Sequence, residues 1–305
     1  MLQILFKSAS FVFIILLAYV LKKAELFGSQ DYKVVTKIAL NVTLPAAIIT
    51  SFASYQVELS LVICSVLGFG MNWLVLGIAY ILTKKKDRAS RALWLNCSPG
   101  YNIGTFALPF VQSFLSPASV VACCLFDAGS ATMCAGGTYA LSCGWLGEKG
   151  GFSLKQIGKR LLSSVPFVFY ITMLIVTLLG ISVPQQLISF IEPLAKANPF
   201  IAMFMIGLMF EIKIEKSRIW EIIKILIIRV GIAILAVLGF YFLLPLGQEF
   251  RLALAIAVFA PVSVASTAFS EIAGADPADA GCLNSLSIPV SIVGIVAILA
   301  IFGAL

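Results

Sequence analysis

Two polar stretches, each containing a proline, interrupt apolar segments that are long enough to cross a membrane. The first runs from Asn96 to Gly104 and contains Pro99 and Gly100, and the second begins at Pro261. Proline lacks a backbone N–H and glycine permits unusual backbone angles, so a helix should stop and restart at each stretch. A restarting helix presents unpaired N–H groups and the positive end of its dipole. Two such ends at one point would bind an anion.

The candidate residues for an anion site lie in these stretches or in two other proline-containing segments. They are Ser98, Asn102, Gly104, Pro261, Val262, Ser263, Asn41, Pro45, Lys196 and Asn198. Asn102 can both donate and accept hydrogen bonds. Lys196 would balance a carboxylate if it lies at membrane depth, and would otherwise extend to the membrane surface. The prolines could instead only bend packed helices, but two polar interruptions, one in each half, favour a transporter's binding site.

Asp127 lies in the middle of another apolar segment, where a carboxylate is costly and is usually functional. We expect it either to couple the movement of a solute to a proton or cation, or to form a structural hydrogen bond. A sodium site would need several oxygen ligands. The residues that could supply some of them are Asn41, Thr43, Asp127, Ser130 and Asn284.

The composition predicts the class of protein. The chain has 305 residues, of which 61% are hydrophobic and 11% charged, whereas a soluble domain carries about 25% charged residues. Apolar runs of about 20 residues predict membrane-spanning helices. Ten such runs occur, with approximate limits 4–21, 34–54, 59–82, 90–114, 117–144, 160–181, 187–211, 220–244, 250–273 and 279–303. The chain should therefore be an all-α, multi-pass membrane protein.

The lysines and arginines indicate how the helices are oriented. Of 21 such residues, 18 lie in or beside the odd-numbered connectors between the predicted spans. This count includes Arg229, which is assigned to the seventh connector. Cytoplasmic loops carry the excess of Lys and Arg, so we predict cytoplasmic odd connectors and both termini outside, in the cell membrane. Because the net charge of +7 is explained by topology, we expect no nucleic-acid partner.

Ten spans divide the chain into two halves of opposite orientation. The predicted first repeat covers residues 1–144, a short cytoplasmic connector covers 145–158, and the second repeat covers 159–305. Each half begins on a different side of the membrane because five spans is an odd number. The interruptions fall in helices 4 and 9, which are equivalent positions of the halves. This pattern predicts two inverted five-helix repeats in which helices 4 and 9 are broken.

The residue types present argue against an enzyme. The chain has no histidine, and its seven cysteines lack metal-ligand spacing, so neither Ser-His or Cys-His catalysis nor a metal site is expected. We predict free thiols, no cofactor and no enzymatic activity. A receptor or scaffold protein would not need two broken helices.

The segment Asn102-Ile-Gly-Thr-Phe-Ala-Leu-Pro109 resembles the Asn-x-Gly-x-x-Gly-x-Pro signature of the auxin efflux carrier family, with Ala107 in place of the second glycine. The segment Asn41-Val-Thr-Leu-Pro45 and residues 261–271 and 276–289 are similar to that family too. The short central connector resembles the bacterial malonate/malate-type permease branch. The resemblance implies a scaffold of helices 1, 2, 6 and 7, often dimeric, and a moving domain whose crossover of helices 4 and 9 binds an organic anion.

Together, these features predict a secondary transporter that moves a small organic anion by alternating access. A carboxylate such as malonate, malate or an auxin-like acid is the expected substrate, with possible proton or sodium coupling through Asp127 and a homodimeric assembly. The alternative is a sodium- or proton-coupled symporter or exchanger of another solute on the same broken-helix scaffold.

Overall fold

The computed structural model describes residues 2–28, 30–147, 153–211 and 219–302. These residues are almost entirely helical, which confirms the predicted all-α class. Residues 1, 29, 148–152, 212–218 and 303–305 lie outside the described residues. The predicted short connector at 145–158 is therefore only partly described.

Seven helical segments of the described chain are long and apolar enough to cross a membrane. They are α1 (Leu2–Lys23); α2 (Tyr32–Ile38) with α3 (Leu44–Ala53); α4 (Ile63–Thr83); α7 (Pro117–Thr132) with α8 (Thr138–Leu146); α11 (Gln185–Met209); α12 (Ile219–Leu243); and α15 (Pro277–Phe302). A π-helical turn joins α2 to α3 at Ala39–Thr43, and another joins α7 to α8 at Met133–Gly137. These helices make the chain a multi-pass membrane protein.

A sharply bent pair of helices leads from the connector into the second half. Helix α9 (Leu154–Ser163) meets α10 (Val165–Leu178) at an angle of 82°. The side chains of α9 are exposed or half-exposed, with Leu154 and Leu162 among the exposed ones. A short basic helix with exposed leucines is typical of a segment lying along a membrane surface.

Both predicted interruptions, those of the predicted spans 90–114 and 250–273, are present. The first separates α5 (Arg88–Cys97) from a π-helical turn (Ile103–Ala107) that leads into α6 (Leu108–Phe114). The second separates α13 (Gln248–Val258) from α14 (Val264–Ile272). Each half is too short to cross a bilayer alone, so each pair would have to cross together. The count of ten spans stays a prediction.

The helices pack in two groups around the interruptions. In the first group, α11 packs against α1 and α3, and α10 also packs against α3. In the second, α7 packs against α4 and α13, and α12 packs against α13. Three fully buried phenylalanines, Phe106, Phe110 and Phe126, belong to the apolar core that joins the groups. The interruptions are therefore held inside packed protein.

The position of Arg229 corrects one part of the charge argument. The sequence assigned this arginine to the surroundings of the seventh connector, but it lies deep in α12 and is only 9% exposed. The cations in or beside odd connectors therefore number 17 of 21, one fewer than counted. A long apolar helix can carry an arginine when its guanidinium finds polar partners inside the protein.

Candidate functional site

The two interruptions meet at one point, which confirms the predicted crossing of the broken helices. Tyr101 and Val262 form an isolated antiparallel bridge. The Asn102 N–H donates to the Pro261 carbonyl at 2.9 Å, and the Ser263 N–H donates to the Gly100 carbonyl at 3.3 Å. Each broken backbone thus satisfies polar groups of the other, as buried backbone requires inside a membrane.

The backbone conformation and the close packing at position 100 favour a glycine. Its φ is +84°, a left-handed conformation that costs other residues free energy. A Cβ atom there would lie 2.0 Å from the Ser266 Oγ, so a side chain at this position would force the serine to move. The Gly100 N–H donates to the Oδ1 of buried Asn72 at 2.9 Å. The first interruption therefore depends on a glycine and on an asparagine from α4.

Polar side chains on neighbouring helices support the crossover from two further directions. Asn72 also donates from Nδ2 to the Ser130 Oγ of α7 at 3.0 Å. From α15, the Ser287 hydroxyl accepts from the Val262 N–H at 3.0 Å, and the Asn284 Nδ2 donates to the Val262 carbonyl at 2.8 Å. These bonds replace the helical partners that the prolines remove.

Arg229 is a charged crossover residue that the sequence interpretation missed, as it missed Asn72 and Ser287. Its guanidinium Nη1 approaches the Cys97, Pro99 and Gly100 carbonyl oxygens at 3.3, 3.5 and 3.4 Å and also bonds to the Ser98 carbonyl. Its Nη2 donates to the Ala260 carbonyl at 3.1 Å. The signal was available, because an arginine inside an apolar span is functional by default.

The helix ends at the crossover separate opposite partial charges. The carbonyl ends of α5 and α13, which carry negative partial charge, face Arg229. The restarting helices begin at Ile103 and Val264, and these residues line a cavity instead. Among the described residues, neither Asn102 nor Ser263 caps the first turn of its helix with a side-chain hydrogen bond. The positive helix ends therefore remain available to a ligand in the cavity.

The cavity has a volume of about 440 Å³, within the range of sites for small molecules. It lies between the crossover, the α2–α3 segment, α10 and the end of α11. Its polar and charged lining residues are Tyr32, Thr36, Tyr101, Asn102, Thr105, Asp127, Arg160, Ser164, Tyr170 and Ser263. Because Tyr32, Arg160 and Ser164 lie near the basic connectors, the cavity extends toward that side of the protein.

Asp127 lies in this cavity beside the first interruption. The Tyr170 hydroxyl of α10 donates to the Asp127 Oδ2 at 2.9 Å. Gly104 permits the close approach, since a Cβ there would lie 3.1 Å from the same oxygen and 3.3 Å from the Tyr170 hydroxyl. The Asn102 Oδ1 accepts from the Thr105 hydroxyl at 2.5 Å, which leaves its Nδ2 as a donor. An acid, an amide and two helix ends therefore share one cavity.

A comparison with protein families matches the first part of the chain. The model of a family described as membrane transport proteins, the auxin efflux carriers, matches residues 4–148, which include the first interruption and Asp127. Over these residues, 145 of 305, the chain is similar to the auxin efflux carrier family. No curated protein matches its sequence at a significant level. Because the family consists of membrane transporters, the chain is a transporter and not an enzyme.

The transporter's remaining candidate residues lie outside the cavity lining. Ser98 and Pro261 are buried in the crossover, and the Ser98 hydroxyl has no hydrogen-bond partner among the described residues. Pro45 is buried near the start of α3. Asn41 is exposed, and its Nδ2 donates to the Lys37 carbonyl one turn away at 2.8 Å.

Lys196 and Asn198 occupy different environments although both belong to α11. The Lys196 side chain is 74% exposed and pairs with Glu192 at 2.7 Å. Asn198 is buried, accepts from the Thr43 hydroxyl at 3.0 Å and donates to the Gln112 Oε1 at 3.0 Å. Lys196 therefore lies away from the crossover, while Asn198 joins three helical segments of the core.

In the described structure, each residue considered as an oxygen ligand for sodium forms a hydrogen bond with a different partner. Asn41 bonds to Lys37, Thr43 to Asn198, Asp127 to Tyr170, Ser130 to Asn72 and Asn284 to Val262. Among the described residues, no group of three His, Cys, Asp or Glu side chains could hold a metal ion. The seven cysteines are free thiols.

Proposed function

We propose that this transporter moves a small organic anion, and that the crossover binds the anion's carboxylate. The observation that carries the proposal is the convergence of two helix N-termini on one cavity, with Asn102 and Ser263 at their first turns. Backbone N–H groups and two positive dipole ends favour negative charge there. The Asn102 Nδ2 supplies a further donor from the same point.

The rest of the cavity suits a small acid with an apolar body. Leucine, methionine, proline and phenylalanine side chains line much of it, together with a few hydroxyl groups. This mixture resembles the usual small-molecule site, in which apolar walls surround a few placed polar groups. Malonate, malate and auxin-like acids are candidate substrates of this class.

Asp127 provides a means of coupling the anion to a proton. An ionised carboxylate in the same cavity would repel an anionic substrate, because charges interact strongly where water is scarce. Protonation of Asp127 removes that repulsion, so the proton and the anion would bind together. The Tyr170 hydroxyl bond would hold the carboxyl group in place as the transporter alternates between its two open states.

The membrane context completes the proposal. The cavity extends toward the side of α9 and Tyr32, which the distribution of lysine and arginine predicts to be cytoplasmic. The described conformation would thus face inward, in a cell membrane, with both termini outside. A homodimer formed through the scaffold helices is the assembly that the family resemblance implies.

The test is a comparison of Asn102→Ala with Asn41→Ala, which removes the same side chain from an exposed position. Binding of mono- and dicarboxylates to the purified protein is measured, followed by uptake into proteoliposomes. Losing a hydrogen bond to a charged ligand costs about 1.5–3 kcal/mol, so Asn102→Ala should weaken binding about 10- to 150-fold. Wild-type affinity in Asn102→Ala, or preference for a neutral or cationic solute, would refute the proposal.

A further inference from the structure

The carbonyl side of the crossover contains a buried charge that the anion site does not use. Five main-chain carbonyl oxygens, those of residues 97–100 and 260, surround the Arg229 guanidinium. The guanidinium carbon also lies 5.0 Å from the centre of the Tyr101 ring. In the part of the chain that the structure describes, no carboxylate forms an ion pair with Arg229. Its charge is therefore balanced by carbonyl dipoles and an aromatic face.

This environment has the chemistry of an alkali-cation site. In transporters with broken helices, unwound carbonyls and the C-terminal ends of half-helices coordinate the coupling cation. Hard cations require several oxygen ligands, and main-chain carbonyls supply them without adding net charge. Here the carbonyl ends of both α5 and α13 are directed at a cation that belongs to the protein itself.

We propose that Arg229 is a tethered cation that takes the place of an inorganic coupling cation at the crossover. Nη1 reaches the first interruption and Nη2 reaches the second, so one planar group joins both broken helices. A lysine ammonium is a single point charge and lacks this fork. Arg229 acts as a positioning residue that keeps the two interruptions together during transport, and transport therefore does not require sodium.

The first experiment needs no transported substrate, so its outcome is independent of the proposed function. Thermal unfolding of purified Arg229→Ala is measured in choline chloride, sodium chloride and methylguanidinium chloride at equal ionic strength. We expect sodium or methylguanidinium to raise the Tm of this variant by about 2–4 °C through binding at the vacated carbonyls. The Tm of the wild-type protein should not rise in sodium or methylguanidinium chloride relative to choline chloride.

Arg251→Ala is the matched control. Arg251 also donates to main-chain carbonyls, those of Leu246 at 2.6 Å and Tyr241 at 2.7 Å, but these lie beyond the C-terminal end of α12 or within its last turn, away from the crossover. Its Ala variant should show no cation-specific rise in Tm. An equal rise in both variants, or none in Arg229→Ala, would overturn the proposal.

The second experiment uses anion uptake and also covers an Arg229→Ala variant that fails to fold. Wild-type uptake should change by less than about twofold when N-methylglucamine replaces sodium on both sides of the membrane. Removing a ligand that transport requires would reduce uptake much further. Arg229→Lys should fold and keep reduced, sodium-independent uptake, because it retains the charge but not the fork. Sodium-dependent uptake by the wild type, or full uptake by Arg229→Lys, contradicts the inference.

Discussion

Replacing Asn72 by alanine tests whether α4 holds the first interruption in place. Asn72 is fully buried, and its side chain bonds to the Gly100 N–H at 2.9 Å, the Ser130 Oγ at 3.0 Å and the Gly68 carbonyl at 2.8 Å. The proline-interrupted backbone gives the Gly100 N–H no helical partner of its own. The alanine variant therefore leaves a buried donor unsatisfied.

The expected loss of stability follows from these contacts. A buried donor without a partner costs about 1–3 kcal/mol, and the space left by the shortened side chain adds about 1 kcal/mol. Asn72→Ala should thus lower the free energy of unfolding by about 2–4 kcal/mol. For a chain of this length, that corresponds to a fall in Tm of roughly 5–10 °C.

The assay is thermal unfolding of the purified protein in detergent, with Asn41→Ala as the control. Asn41 is exposed and bonds only within its own helical segment among the described residues, to the Lys37 carbonyl. Its replacement should change stability by less than about 0.5 kcal/mol. If the two variants unfold at the same temperature, the Asn72 bond to the interruption contributes nothing, and the reasoning is wrong.

Three other predictions address binding, coupling and topology. Lys196→Ala should bind the anion with wild-type affinity, because the Lys196 side chain is 74% exposed and paired with Glu192; an affinity loss of tenfold or more would return this lysine to the site. Asp127→Asn should keep binding and exchange but lose accumulation driven by a proton gradient, and full accumulation would make Asp127 a structural contact only. A cysteine that replaces Glu58 should be labelled from outside, and one that replaces Lys85 from the cytoplasm. The helical segment between them, Leu59–Thr83, has 25 residues and extends about 37 Å, which is long enough to cross the membrane. Labelling of both positions from the same side would exclude this span.

Much of the architecture follows from the sequence because a membrane leaves the backbone few choices. Apolar runs must be helical, since lipid offers no hydrogen-bond partners. A proline next to a glycine, as at Pro99 and Gly100, must break such a helix, and the freed backbone groups must then find partners inside the protein. These constraints predicted both interruptions and the placement of Asp127 within an apolar span, whereas the crossing of the broken helices was implied by the family resemblance.

The sequence could not decide which side chains reach the crossover, because neighbouring positions on a helix face different directions. Lys196 and Asn198 are two residues apart, yet the first is exposed and the second is buried among core helices. Asn41 carries the expected chemistry but lies on an exposed face. A helix turns by about 100° per residue, so only the packing of helices against each other determines these environments.

Arg229 shows the same limit for charge. In the sequence, Arg229 follows a basic connector, so it was counted among the lysines and arginines that indicate topology. The tertiary structure places five carbonyl oxygens from two distant segments around its guanidinium. A buried charge is tolerated only where such partners converge. The sequence determined where the helices break, whereas the folding of the two halves together decided which cation stabilises the break.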